Sequence, residues 1–265
     1  MSLTLFKREW KASWKLLAIF VAVLSLYGGM IISMFDPKLG ESLNMMAESM
    51  PQLFAAFNMT DPGVTLLDFT SNYLYGFLLL VFPLVFIALV AVRLVARKTE
   101  SGSLACLLAS PVPRWKLALT QGVMLLSGVL VLVAYVTALV VAVSGALFPD
   151  ELDVKRFLAL NAGLLGLLVL FAGVCFFASC LCNTAAAAAG LGAGLCVVFV
   201  LIQMIGQVGD KFEWLKYCTP LTLFDRAAIV AGDSGAVPGV LALYAAGVLL
   251  FAAGTAVFCR RDFSV

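Results

Sequence analysis

Histidine is absent from this chain of 265 residues, and charged side chains make up only 12% of it. Histidine is the commonest general base and the commonest metal ligand in proteins, so its absence excludes Ser-His-Asp triads, Cys-His pairs and zincin-type metal sites. The chain also lacks any G-x-x-x-x-G-K-[ST] sequence, and therefore has no phosphate-binding loop of that type. An intramembrane enzyme is disfavoured as well, because no paired carboxylates occur at membrane depth.

Apolar residues, by contrast, are abundant. Hydrophobic side chains make up 63% of the chain and the mean hydropathy is +1.08, whereas a soluble domain is about half apolar. Six apolar segments are each near the ~20 residues that span a bilayer as an α-helix. They are 16–34, 72–96, 117–143, 157–181, 185–205 and 239–259. The predicted fold is an all-α membrane protein with a single transmembrane domain over residues 1–265.

Lysine and arginine are unevenly distributed between the two ends of these segments. The end that holds both termini and residues 98–116 has eleven basic residues against three acidic ones, and the other end has six against twelve. Because basic residues concentrate in cytoplasmic loops, both termini and residues 98–116 are predicted to be cytoplasmic. Only Cys218 of the seven cysteines then falls in an outer loop, so a disulfide framework is not expected.

The first fifteen residues carry aromatic and basic side chains at four-residue spacing. They are Phe6, Trp10 and Trp14, with Lys7, Lys11 and Lys15 one position further on. Aromatic rings in the head-group layer and lysines near anionic lipid are typical of a helix that lies in the membrane surface. Residues 1–15 are therefore predicted to form an interfacial helix before the first span.

The 98–116 loop, KTESGSLACLLASPVPRWK, is the most informative short stretch. Leu104, Leu107 and Leu108 fall on one face of a short helix. Cap-type residues at 101–103 open this helix, and Pro111 closes it because the residue before a proline is pushed out of the α region. A helix lying flat on the lipid head groups shows the same pattern, so the leucines alone leave both interpretations open.

This loop resembles the cytoplasmic loop between the second and third membrane helices of type 2 ATP-binding-cassette (ABC-2) transporter permeases. In that family a Glu-x-Gly-Ser/Thr opening, a leucine pair and a Pro-Val/Ile-Ser/Thr-Arg close delimit the coupling helix, which enters a groove of the ATPase subunit. The matching residues are Glu100, Gly102, Ser103, Leu107, Leu108, Pro111, Val112 and Arg114, to which Leu104 adds the same helix face. Pro113 is a departure, because the family more often has Ser or Thr there.

The resemblance implies a permease subunit without a cofactor of its own. ATP and Mg²⁺ would be bound by separate cytoplasmic ABC ATPase subunits, and a second permease subunit would complete a homodimer or heterodimer. Residues 1–15 correspond to the elbow helix of the family. The location implied by the resemblance is a bacterial plasma membrane, with membrane lipid as a further partner and no nucleic acid.

The six segments contain no Asp, Glu or Lys, so they lack the ionisable residue that proton- and sodium-driven transporters usually carry. The main polar side chains at membrane depth are Gln121, Tyr135, Asn161, Gln203 and Tyr244. They are candidates for lining a substrate path, and hydrogen bonds between neighbouring helices are the other explanation. The expected cargo is amphipathic or apolar, such as a peptide, lipid or drug, moved outward.

Three further stretches carry predictions. Ala186, Gly190 and Gly194 form a small-residue face that predicts close helix packing. The outer loops 35–71 and 206–238 are predicted to hold amphipathic segments, the first around Met45 to Phe57 and the second around Phe212 and Thr219-Pro220. A non-transporting sensor, immunity or scaffold subunit, or an ATP-independent channel, has the same topology and remains the alternative.

Overall fold

The computed structural model describes residues 3–35, 49–50, 65–108, 112–149, 151–207, 214–215 and 217–261. Its principal elements are all helical. They are α1 (Leu3–Ser33), α2 (Leu66–Tyr73), a π-helical turn (Leu74–Leu78), α3 (Leu79–Leu94), α4 (Ala96–Glu100), α5 (Ser103–Leu108), α6 (Arg114–Leu147), α7 (Val154–Leu181), α8 (Ala185–Gln207), a 3₁₀ turn (Pro220–Leu223), α9 (Arg226–Ala231) and α10 (Ala236–Arg260).

Six stretches of helix in the described residues are long and apolar enough to cross a bilayer. They are Leu3–Ser33, Leu66–Glu100, Arg114–Leu147, Val154–Leu181, Ala185–Gln207 and Ala236–Arg260. The six predicted segments agree with these helices to within a few residues, apart from the start of the first. The prediction of an all-helical protein with six candidate spans is therefore confirmed.

The N-terminal helix has no break where the prediction placed one. Helix α1 is continuous from Leu3 to Ser33, and that residues 1–15 lie in the membrane surface as an elbow helix stays a prediction. The reason is visible in the sequence, because residues 13–16 contain neither glycine nor proline and nothing ends the helix there. The aromatic face is present, with the rings of Phe6 and Trp10 stacked at 6.0 Å between centroids and Trp14 exposed.

Helix α7 lies at the centre of the bundle, with most of its side chains buried. Its N-terminus is capped by Asp153, whose side chain accepts hydrogen bonds from the N–H groups of Lys155 and Arg156 at 3.0 and 3.2 Å. Helix α10 packs against α7 so closely that two glycines are required. A Cβ on Gly247 would lie 2.8 Å from Val169 Cγ1, and one on Gly173 would lie 2.9 Å from the carbonyl oxygen of Gly247.

This contact gives a first prediction: Gly247→Leu should lower the free energy of unfolding by roughly 2–3 kcal/mol, because the backbone of α7 leaves no room for a side chain. Gly190→Leu on α8 is the matched control, since a Cβ there would have nothing within 4 Å. Thermal unfolding of both variants in the same detergent measures the difference. Equal midpoints for the two leucine variants would show that the α7–α10 contact is looser than described.

Within the part of the chain that the structure describes, the small-residue face predicted on α8 does not pack against another helix. Added Cβ atoms at Gly190 and Gly194 meet nothing within 4 Å, and Ala186 is exposed. The close approach of α8 to α7 uses Gly192 instead, where a Cβ would lie 3.0 Å from the Cα of Cys175. The residue of α8 that permits close packing against α7 therefore lies on a different face from Ala186, Gly190 and Gly194.

Contacts at the helix ends establish which ends lie together. The start of α1, the segment α4–α5, the turn between α7 and α8 and the end of α10 are joined by side-chain hydrogen bonds. We call this end of the bundle the loop end. At the opposite end, Phe35 packs against Phe69 and Phe148 with ring centroids 5.5 and 5.3 Å apart. That the loop end faces the cytoplasm stays a prediction from the charge distribution.

Candidate functional site

The 98–116 loop begins with two short helices joined at a glycine. Helix α4 ends at Glu100 and α5 begins at Ser103. Between them Gly102 has a φ of 69°, in the left-handed region that residues with a Cβ adopt at a cost. The hydroxyls of Ser101 and Ser103 are hydrogen-bonded across this bend at 2.9 Å. The predicted short helix is therefore present, and Gly102 sets the change in direction before it.

The leucine face of α5 is turned toward the bundle. Leu104 is 5% exposed and belongs to the core, and Leu107 and Val112 pack against that core. The side chain of Leu108 and all of Pro111 lie outside the described residues. Among the loop residues whose side chains the structure describes, the exposed ones are instead 100–103 and 113–115, with Trp115 50% exposed. A partner docking here would contact this polar and aromatic surface rather than Leu104.

A buried ion pair joins the loop to α1. The Nζ atom of Lys98 donates to Glu9 Oε1 at 2.5 Å, and the side chains of Lys98 and Glu9 are 17% and 8% exposed. A buried charge is costly unless it is paired and hydrogen-bonded, so each of these residues holds the other in place. The pair fixes α4 against the first turns of the N-terminal helix.

A second connection runs from the loop to α8. Glu100 Oε2 accepts a hydrogen bond from the backbone N–H of Ala185 at 2.9 Å. Ala185 is the first residue of α8, where backbone N–H groups have no partner inside the helix and favour negative charge. Thr184 caps the same terminus by accepting from Ala187 N at 3.3 Å. Glu100 is thus a cap supplied by another part of the chain.

A third connection joins the start of α6 to the end of α10. Arg114 donates to the backbone oxygen of Arg261 at 3.2 Å. Arg261 in turn donates to the carbonyl oxygens of Cys180 and Cys182 at 2.8 and 3.1 Å, and to Asn183 Oδ1. These carbonyls end α7, where a cation is favourable. The loop is therefore connected to the ends of α1, α8 and α10, and through Arg261 to α7.

Four of the five polar residues proposed as a path are hydrogen-bonded to another part of the chain. Asn161 accepts from the Tyr75 hydroxyl at 2.9 Å, Tyr135 is bonded to Ser25 at 2.7 Å, and Tyr244 donates to the backbone oxygen of Ala162 at 2.8 Å. Gln203 accepts from Thr219 at 2.5 Å. Gln121 is buried, and its Oε1 atom has no hydrogen-bond partner among the described residues. Four of the five connect neighbouring segments, and whether any lines a path stays a prediction.

The segment before α10 is anchored at the opposite end of the bundle. Leu221 and Phe224 are buried, and Asp225 caps α9 by accepting from Ala228 N at 3.1 Å. Arg226 is 7% exposed and donates to the backbone oxygen of Ser71 at 2.9 Å. Burial lowers the pKa of Arg226 to about 10, so the guanidinium remains charged at neutral pH.

Other outer-loop predictions fall outside the described residues. Phe212 is one of these, and the predicted amphipathic segment around Met45 to Phe57 lies almost wholly within 36–48 and 51–64.

Sequence reasoning missed the connecting residues Glu9, Lys98, Asn183 and Arg261. One signal was available for Glu9, because it is the single acidic residue in a basic N-terminal stretch and sits at a helical position between lysines. Nothing local marked its partner, since Lys98 is 89 residues away.

A comparison with known protein families identifies the family of this chain. The family model described as ABC-2 family transporter protein matches residues 3–263, nearly the whole chain. No curated protein matches the chain significantly. With six helices able to cross a bilayer and a family match over almost its full length, the chain belongs to the ABC-2 transporter family and is a multi-pass permease component.

Proposed function

We propose that this chain is the membrane-spanning subunit of an ATP-driven exporter, coupled through its 98–116 loop to separate ABC ATPase subunits. The observation that carries the proposal is the set of connections from this one loop to the ends of α1, α8 and α10. A second permease subunit would complete the path, and the complex would lie in a bacterial plasma membrane. The ATPase subunits would bind ATP and Mg²⁺.

The proposed mechanism is alternating access. Closure of the ATPase subunits on ATP would push on the exposed residues 101–103. Because Leu104 is buried against the bundle, α5 cannot yield independently, and the displacement passes to the spanning helices. The Lys98–Glu9 pair would move α1, Glu100 would move α8, and the Arg114–Arg261 contact would move α10.

The proposed cargo is amphipathic or apolar, for example a peptide, lipid or drug, and its direction is outward. Support comes from the six apolar segments of the sequence, from 16–34 to 239–259, which contain no Asp, Glu or Lys to bind a charged solute at membrane depth.

Glu100→Ala tests the coupling, since it removes the acceptor that connects the loop to α8. We expect the ABC ATPase encoded beside this chain to co-purify with the variant as it does with wild type. Cargo-stimulated ATP hydrolysis in proteoliposomes should fall several-fold, because displacement of the loop is no longer transmitted to α8 through this hydrogen bond. The cargo panel comprises amphipathic peptides, lipids and drugs.

Glu100→Gln is the matched control, because its side-chain oxygen can still accept from Ala185 N. It should retain most of the stimulation. Wild-type stimulation in Glu100→Ala would contradict a role for this contact in coupling. Loss of ATPase recovery in Glu100→Ala would instead make Glu100 a docking residue. A complete lack of stimulation in wild type by every cargo tried would count against the exporter itself.

A further inference from the structure

We propose that the pocket between the start of α1 and α6 binds one anionic phospholipid, with its phosphate at Lys7 and Lys11 and its acyl chains against the aromatic rings of α1. An interfacial helix in general contacts many lipids in turn, whereas here one lipid occupies one pocket. The site needs only that the chain spans a membrane, and it does not depend on coupling to an ATPase.

The pocket lies where α1 and α6 separate. Farther from the loop end the two helices are in contact, since the hydroxyl oxygens of Ser25 and Tyr135 are 2.7 Å apart. One turn further on, a Cβ on Gly28 would lie 3.0 Å from Leu139 Cδ2. Toward the loop end a pocket of about 450 Å³ opens between them, a volume typical of small-molecule sites. It is lined by Phe6, Lys7, Trp10, Lys11 and Trp14 of α1 and by Ser127 of α6.

Two lysines of this lining lie on the side of α1 opposite Glu9. Lys7 and Lys11 are each two residues from Glu9, which is about 200° around an α-helix, and both are exposed. Glu9 is buried and paired with Lys98, so it does not neutralise them. Within the described part of the chain, neither lysine takes part in a hydrogen bond or ion pair. Both ammonium groups are therefore available to an anion in the pocket.

The aromatic part of the lining suits the rest of a phospholipid. The rings of Phe6 and Trp10 are stacked, and Trp14, farther from the loop end, is 52% exposed. From Phe6 to Trp14 the lining extends about 12 Å at 1.5 Å per residue, close to the roughly 15 Å of one hydrocarbon leaflet. Tryptophan is favoured where hydrocarbon meets head groups, because its ring is apolar and its N–H donates. A molecule with a phosphate and hydrocarbon chains matches this distribution.

A second copy of the chain matches the pocket less well. The loop end has eleven basic residues against three acidic ones, so contact between two loop ends brings like charges together. Two of these acidic residues are already engaged, Glu9 with Lys98 and Glu100 at the start of α8. Anionic lipids give the cytoplasmic leaflet its negative surface potential, and the loop end is predicted to lie beside that leaflet. Charge complementarity therefore favours an anionic lipid as the occupant.

Native mass spectrometry of the full chain in mild detergent tests the proposal, with phosphatidylglycerol and phosphatidylcholine of identical acyl chains as probes. The first phosphatidylglycerol should bind wild type at least about tenfold more tightly than the first phosphatidylcholine. Lys7→Gln with Lys11→Gln should abolish this preference. Arg8→Gln with Arg260→Gln should keep it, because it removes the same charge from exposed residues outside the pocket.

A second pair of variants tests the pocket itself. Ser127→Phe fills it without changing charge and should weaken the first binding event of both lipids several-fold, whereas Ser127→Ala leaves it open and should bind both as wild type does. Binding to Ser127→Phe no weaker than to Ser127→Ala would overturn the proposal. So would a wild-type dimer that Ser127→Phe converts to monomer, because a second copy would then occupy the pocket.

The lysine variants can contradict the proposal independently of packing. No preference for phosphatidylglycerol in wild type, or a preference kept without Lys7 and Lys11, would overturn it. Loss of the preference in the Arg8 and Arg260 control would overturn it as well, because a diffuse attraction to the basic end would then explain the binding.

Discussion

Replacing Lys98 by methionine should lower the free energy of unfolding by about 3 kcal/mol or more, because it leaves the Glu9 carboxylate buried without its partner. The Glu9 side chain is only 8% exposed and accepts from Lys98 Nζ at 2.5 Å. Removing one member of a buried pair costs far more than the pair itself contributes, since the remaining charge loses both water and counter-charge. Denaturant unfolding in detergent measures this loss.

Two controls identify the cause. Glu9→Leu combined with Lys98→Met removes both charges and should recover most of the lost stability. Arg156→Met breaks the other ion pair among the described residues, Arg156–Asp153, whose side chains are 52% and 49% exposed, and it should cost no more than about 1 kcal/mol. A Lys98→Met variant no less stable than Arg156→Met would show that Glu9 is hydrated and that the connection to α1 is weak.

The six spans were predictable from sequence because hydropathy and helix length are local properties. The segments 117–143 and 157–181 each fall inside a helix that extends only a few residues further, Arg114–Leu147 and Val154–Leu181. The hydrocarbon core of a bilayer offers no hydrogen-bond partners to backbone N–H and C=O groups, so an apolar segment of this length forms a helix, in which these groups bond to one another.

The continuity of α1 was not predicted, although local sequence contained the information. The change from amphipathic to fully apolar residues near position 15 predicts a change of environment, from interface to hydrocarbon. It does not predict a break in the helix. Because no glycine or proline occurs near residue 15, the helix continues from the amphipathic part into the apolar part.

The orientation of the loop leucines depends on distant contacts. The spacing of Leu104 and Leu107 correctly placed them on one face of a helix. That apolar face could pack either against a partner subunit or against the chain's own bundle, and the spacing does not decide between them. The bundle covers both side chains. Likewise, an acidic residue such as Glu100 resembles a surface residue in sequence, and only the fold brings the start of α8 within 2.9 Å of it.

Gly102→Asp should reduce recovery of the ATPase subunit by at least about tenfold, since it places a bulky charge in the surface proposed to dock. Aspartate tolerates the left-handed backbone better than most residues, and a Cβ at Gly102 meets nothing within 4 Å, so the chain should still fold. Gly232 provides a close control. It has a φ of 82°, also has nothing within 4 Å, and follows α9, outside the loop.

The most direct test of coupling through the 98–116 loop is co-purification of the ABC ATPase encoded beside this chain with three versions of it. Wild type and Gly232→Asp should recover the ATPase in equal amounts. Gly102→Asp should lose it although its unfolding midpoint falls no further than that of Gly232→Asp, which places the same residue at a similar φ. Equal recovery with Gly102→Asp, or no ATPase bound to any version, would contradict docking at this loop.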